Sequence, residues 1–251
     1  MLEITDHAAV REIRMARPPV NALDPGLVAA LRAALAAAPR QGAAAIVLAG
    51  RPGMYSAGLD VPALLALDRA AMRTFLVDFF GLLCDLAASP LPVVAAITGH
   101  SPAGGAVLSI FCDHRVMAEG DFKIGLNEVQ VGLSLPPVIH AALVRVVGVR
   151  QAERLAVRGP MIPAAEAHTI GLVDELVPLE GVVERALERA RDFLALPPRA
   201  MARTRELARR DLVESFARQQ SATQERFADD WFGDETQRTM RALVDRLKKK
   251  S

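Results

Sequence analysis

The chain has 251 residues, 51% of them hydrophobic, with 30 Lys and Arg against 29 Asp and Glu. That length supports one large core or a core with an appendage, and that hydrophobic share excludes disorder as the main state. A net charge of +1 gives no electrostatic reason to expect nucleic acid or an anionic membrane as a partner.

In chain order, LEIT and AVREIR, split by Asp6-His7, read as a short hairpin. This N-terminal stretch carries charges of both signs and no apolar h-region, so no secretory signal is expected. DPGLVAALRAALAAA (24–38) opens with Asp and Pro, which start helices, and continues with an apolar face. AAAIVLAG (43–50) is a buried strand, RPGMYSAGLD (51–60) a loop, and helix runs in pieces from about 61 to 88. LPVVAAIT (91–98) is the next buried strand, and the loop GHSPAGG follows it. HRVMAE and DFKIG are strand-like, helices are expected over 136–147, 150–157 and 163–169, and GLVDELV (171–177) is a last strand.

From Pro178 on the pattern turns helical, over 180–195, 199–209 and 211–249. The expectation is an alternating α/β body over 1–195 and a helical region over 196–251. Those last helices are suited to packing on another subunit or on the chain's own core. No run of 18 apolar residues occurs, so no transmembrane helix is expected. Cys84 and Cys112 lie far apart in apolar contexts and read as thiols of a reducing compartment. The KKKS ending is not an SKL peroxisomal address, and the expected location is the cytoplasm. The histidines form no i, i+4 pair, so no metal site is expected.

AITGHSPAGGAVL (96–108) resembles the nucleophile elbow of a serine hydrolase, with Ser101 at its apex. That mechanism needs the backbone N–H of the residue after the serine, and that residue is Pro102, which has none. The loop makes better sense as a main-chain anion holder. Pro102 suits the first turn of a helix, and Gly104 and Gly105, lacking Cβ, let an acyl group come close to unpaired amides. The earlier loop, SAG-Leu59-Asp60, also follows a buried strand, and the two loops could each give one N–H to a single carbonyl oxygen. Neither loop matches the glycine patterns that cradle nucleotide phosphates.

PPVNALD (18–24), YSAGLD (55–60), PVVAAITGHSPAGGAVLSIFCDHRVMAE (92–119), KIGLNEVQVGL (123–133) and VRGPMIPAAEAHTIGLVDELVP (157–178) together resemble the crotonase, or enoyl-CoA hydratase/isomerase, superfamily. Within it, SAGLD, PAGGAV and IGLNEVQVG look most like the Δ3,Δ2-enoyl-CoA isomerases of mitochondrial type. The resemblance implies a spiral core of ββα units with C-terminal helices that form trimers or dimers of trimers. It implies acyl-CoA thioester substrates, with coenzyme A as part of the substrate and no separate cofactor. It assigns the two oxyanion-hole amides to Leu59 and Gly104, and puts Ala22, Ser56, Ala57, Gly58, Asp60 and Gly105 around the substrate.

Family hydratases use two glutamates, and the resemblance puts them at positions 107 and 128. Position 107 is Val, so Glu128 stands alone. One carboxylate suits moving a proton from C2 to C4, whereas two suit orienting and splitting water. Apolar neighbours on both sides of Glu128 predict a raised pKa. By its own position Asp60 reads as the cap of the helix that follows, and Asp113 as structural. Leu64, Leu65, Met72, Phe75, Phe79 and Phe80 form an apolar stripe, either core or one wall of an acyl tunnel. Trp231 reads as packing, and the RLKKKS tail as a solvated end or a contact for coenzyme A phosphates of a neighbouring subunit.

Overall fold

Alternation along the buried strands decides the architecture of this computed structural model, which describes residues 1–248 without the side chains of 219–221 and 247–248. In β3 (Ala45–Ala49), Ile46 and Leu48 face one apolar cluster while Ala45, Val47 and Ala49 face another. β5 (Val93–Ile97) divides the same way, with Val93, Ala95 and Ile97 on one side and Val94 and Ala96 on the other. Two covered faces explain why both strands are uninterrupted apolar runs.

A six-stranded sheet runs in the order β1 (Leu2–His7), β2 (Val10–Met15), β3, β5, β7 (His114–Ala118), β10 (Glu175–Val177). β1 and β2 form the antiparallel hairpin, and every later pairing in this sheet is parallel. α1 (Pro25–Ala37) and α3 (Arg69–Ala87) pack on one face, and α7 (Val182–Leu194) covers the other. Asp24 and Asp68 cap α1 and α3 by accepting from Leu27 N–H at 2.7 Å and Ala71 N–H at 2.8 Å.

A second sheet runs in the order β4 (Gly53–Met54), β6 (Gly99–Pro102), β8 (Lys123–Gly125), β9 (Ile162–Pro163); β8 falls in the strand-like DFKIG, whereas β4, β6 and β9 fall in stretches the sequence reads as loop or helix start. Pro102 therefore ends a strand and does not begin a helix. α4 (Gly104–Ile110) starts two residues later. Only residues 175–177 of the predicted last strand are extended.

Between these lie α2 (Val61–Leu64), α5 (Pro137–Arg158) and α6 (Ala164–Thr169). α5 is interrupted at Gly148, whose φ of 74° and ψ of 163° separate two helical pieces, as expected. α8 (Pro198–Phe232) runs unbroken across position 210, where the sequence suggests a break. The break comes at Gly233, which is extended, before α9 (Asp234–Lys248). Arg210 and Asp211 carry no helix-breaking chemistry, which explains the continuity.

The C-terminal helices pack on the chain's own core. α8 lies along α3, where Phe80 meets Phe227 edge-on at 6.3 Å and Phe227 stacks on the fully buried Trp231 at 6.5 Å. Asp113 sits beneath α8, paired with Arg205 at 2.8 Å and Arg209 at 3.0 Å. α9 docks on the turn at Gly132 through Thr236, whose hydroxyl donates to Gly132 O at 2.6 Å. In the RLKKKS tail, side chains from 247 on lie outside the described residues.

Candidate active site

A trans peptide points its N–H opposite its C=O, and this rule orients both predicted donors. Leu23 and Leu59 form a parallel bridge, in which Leu23 N–H donates to Gly58 O at 2.7 Å and Asp60 N–H donates to Leu23 O at 3.0 Å. With Gly58 C=O turned toward Leu23, the Leu59 N–H of the same peptide plane turns the other way. Ala103 O accepts from Val107 N–H at 2.9 Å along α4, so Gly104 N–H points out of the helix end. Leu59 and Gly104 both line a cavity of about 290 Å3.

The two loops touch through their backbones. A Cβ on Gly58, whose φ is +84°, would lie 2.9 Å from Gly104 N and 2.9 Å from the Ala103 Cβ. Ala103 itself has φ 46° and ψ −119°, a conformation that costs a non-glycine residue about 1–3 kcal/mol. It is held by donating to Gly125 O at 2.8 Å, which ties the donor loop to β8. The space a Cβ would occupy at Gly105 is filled by Ser56 O, 2.5 Å away. The missing side chain there admits the neighbouring loop, not an acyl group.

Glu128 begins a single 3-10 turn after β8 and lines the same cavity. The residue is half-buried, but its Oε2 is shut off from solvent and has no hydrogen-bond partner. Burial among apolar walls pushes its pKa up to about 7, with its own backbone N–H pulling weakly the other way. Such a group both accepts and returns a proton near neutral pH. Val107, 1% exposed, contributes hydrocarbon to the wall, so Glu128 is the only carboxylate among the described lining residues. Asn127 apart, the side chains of the remaining wall are apolar and are drawn from Val61, Phe79, Leu133 and Ile139 of the core and from Phe227, Met240 and Leu243 of α8 and α9. A wider groove of about 650 Å3 adjoins it, sharing Pro136 and Phe227, and contains neither peptide donor.

The other predicted residues sit as follows. Ala57 lines the cavity. Ser56 is fully buried behind it, its hydroxyl donating to Asn21 O at 2.7 Å and accepting from Gly58 N–H at 3.2 Å. Ala22 is buried and its carbonyl faces Arg17. Asp60 caps α2, its Oδ1 accepting from Ala63 N–H at 3.0 Å, and gives its other oxygen to Arg17 at 2.7 Å. Within the apolar stripe, Phe79 is the one member that lines the cavity, while Leu64, Met72, Phe75 and Phe80 are core. Ser101 is fully buried, lies outside the lining and has a hydroxyl with no hydrogen-bond partner, so no histidine stands against it as a hydrolase triad requires. Among the described residues no cluster of three His, Cys, Asp or Glu is arranged to hold a metal.

Three contributors escape sequence reasoning. Asn127 places a buried, unpartnered Oδ1 beside the glutamate in the cavity lining. Asn21, at φ 52° and fully buried, ties PPVNALD to the first donor loop by donating to Tyr55 O at 3.0 Å. Asn tolerates that backbone region better than most residues, which is the signal the motif carried. The third is the far wall supplied by α8 and α9.

A family model described as enoyl-CoA hydratase/isomerase matches residues 5–250. The human mitochondrial enoyl-CoA delta isomerase 1 is 31% identical over 96% of this chain and 81% of its own length. A probable enoyl-CoA hydratase of Mycobacterium avium is 35% identical over 78% of this chain and 76% of its own. The crystal structure of human mitochondrial delta3-delta2-enoyl-CoA isomerase superposes with a TM-score of 0.96 at 30% identity, covering 100% of this chain and 99% of that one. That of an enoyl-CoA hydratase from Mycobacterium ulcerans gives 0.83 at 30% identity, covering 92% and 99%.

Proposed function

We infer the reaction from one premise: the chain belongs to the enoyl-CoA hydratase/isomerase family and has its mixed α/β fold. The reading is a Δ3,Δ2-enoyl-CoA isomerase. The observation that carries it is a single carboxylate, Glu128, in an apolar cavity that two peptide N–H groups also face, with Val107 where a second acid would stand.

The thioester oxygen of a 3-enoyl-CoA accepts hydrogen bonds from Leu59 N–H and Gly104 N–H. Glu128 takes a proton from C2, and the electron pair spreads over C2, C4 and the thioester oxygen as a dienolate. Glu128 then returns the proton to C4, giving the trans-2-enoyl-CoA and regenerating the carboxylate. Both steps need a group whose acid and base forms are close in energy, which a pKa of about 7 supplies. The two donors act on the charge as it develops, where one lost donor typically costs about 3–4 kcal/mol. Coenzyme A enters as part of the substrate, and the chemistry asks for no metal or further cofactor. A homotrimer or dimer of trimers in the cytoplasm completes the reading. The unpaired thiols Cys84 and Cys112 fit a reducing compartment. No described helix is long and apolar enough to cross a membrane.

A second reading, hydration of a 2-enoyl-CoA, is favoured by the hydratase names of the mycobacterial relatives and by the Asn127 Oδ1, a second acceptor beside Glu128. Incubation with 3-hexenoyl-CoA and with crotonyl-CoA separates the two. An isomerase raises absorbance as the double bond enters conjugation and leaves crotonyl-CoA almost untouched. Rapid loss of crotonyl-CoA absorbance, with slow conversion of the 3-enoyl ester, would overturn the isomerase reading.

A further inference from the structure

The Leu59 N–H points into the cavity only because Gly58 C=O is held by Leu23. That bridge is one residue long, and the other ties between the two segments, Ala57 N–H to Val20 O at 2.9 Å and the Asn21 and Ser56 contacts, all lie N-terminal to it. A side chain that grips the residues beside Leu23 and after Leu59 would hold the two opposite each other.

Arg17 is placed to do this. Its guanidinium donates to Ala22 O at 3.1 Å and pairs with Asp24 Oδ2 at 3.1 Å, the residues on either side of Leu23. It also pairs with Asp60 Oδ2 at 2.7 Å, the residue after Leu59. Its backbone N–H, at 2.9 Å from Asn21 Oδ1, anchors the same segment. Both carboxylates divide their oxygens alike. Oδ1 of Asp24 and of Asp60 caps a helix, and Oδ2 of each faces Arg17. One planar, forked cation thus joins both arms of the bridge to the starts of α1 and α2, a geometry an ammonium cannot reproduce.

We propose that Arg17 is a positioning residue for the donor pair, fixing the Leu23–Leu59 bridge so that Leu59 N–H meets the thioester oxygen. Arg17 is absent from the cavity lining and acts through the backbone of residue 59. The proposal rests on the donor reading above, but not on which double-bond reaction follows.

The test uses the whole chain as wild type, Arg17→Met, Arg17→Lys and Asp60→Asn, with turnover of 3-hexenoyl-CoA and the absorbance of bound 2,4-hexadienoyl-CoA as readouts. Hydrogen bonds to the thioester oxygen polarise that conjugated ligand and shift its band to the red. We expect Arg17→Met to lower kcat by about tenfold, with KM within threefold. The bound ligand's red shift falls to less than half, while the pH of half-maximal rate stays put. Arg17→Lys recovers only part of both. Asp60→Asn, which keeps a capping oxygen, shows the same loss in milder form and carries the test if Arg17→Met does not fold. An unchanged kcat and red shift in a folded variant would overturn the proposal, as would a change confined to KM. A wild type that red-shifts the ligand but does not convert the 3-enoyl ester would instead count against the isomerase reading, leaving Arg17's role standing.

Discussion

Gly58 and Gly104 meet backbone to backbone, so closely that a Cβ on the first would lie 2.9 Å from the nitrogen of the second. The contact holds the two donor loops at one spacing. Gly58→Ala adds a methyl there at a φ of +84° and must push the loops apart. We expect a loss of turnover of about a hundredfold, the scale of one lost donor. Steady-state kinetics on the folded variant checks it.

The donors are main-chain groups, so side chain identity matters little where the N–H survives. Leu59→Ala should cost less than about tenfold, whereas Gly104→Pro, which deletes an N–H, should cost about a hundredfold or more. Equal losses in the two variants would argue against main-chain catalysis.

Glu128→Gln should lower kcat by about a thousandfold or more with KM nearly unchanged, since the carbonyl donors remain. In the wild type, kcat/KM should fall about tenfold per pH unit below about 7 and level off above it, because the free enzyme needs the ionised base. A flat profile between pH 5 and 8 would exclude Glu128 as the base.

The same residue makes a prediction about stability. Its pKa rises from about 4.5 when the chain unfolds to about 7 when folded, so the folded state holds the proton more tightly. The stabilisation is fully present below pH 4.5 and is lost as pH climbs through 7. Glu128→Gln, which cannot ionise, should gain stability over wild type on going from pH 5 to pH 8, by up to about 3 kcal/mol. Thermal unfolding of both proteins across that range measures it.

The cavity of about 290 Å3 has room for roughly ten water-sized groups. Six- to ten-carbon 3-enoyl esters should therefore be turned over faster than those of fourteen or more. Leu243→Ala, at a half-buried position on the far wall, should move the optimum to longer chains at a stability cost of about 1–2 kcal/mol. A series of ester lengths assayed with both proteins decides it.

Legibility in the sequence follows pattern density. β3 and β5 are apolar over their whole length, and α1 and α3 start at Asp caps, so each can be read locally. Of the second sheet only β8, inside DFKIG, can be read so. β4 and β6 pair through Gly53 and Gly99, where a Cβ on Gly99 would lie 2.1 Å from the Gly53 carbonyl carbon, and glycines leave no alternation to read. Pro102 misleads for a related reason, since it is as comfortable at a strand end as in a first helical turn. The site divides likewise. Leu59, Gly104 and Glu128 stand inside recognisable motifs. Arg17 acts through contacts with residues up to 60, and Asn127 through an unpartnered oxygen, and neither leaves a trace in spacing. Phe227, Met240 and Leu243 reach the cavity only because α8 lies on α3 and α9 docks at Gly132.

That last arrangement sets an order of events during synthesis. A ribosome that has finished both donor loops and Glu128 has made the reactive groups of a chamber with one side missing. Until Phe227, Met240 and Leu243 have folded into place, that wall is absent and an acyl chain has nothing to lean on. Nascent chains should therefore acquire their sheets early and their chemistry last.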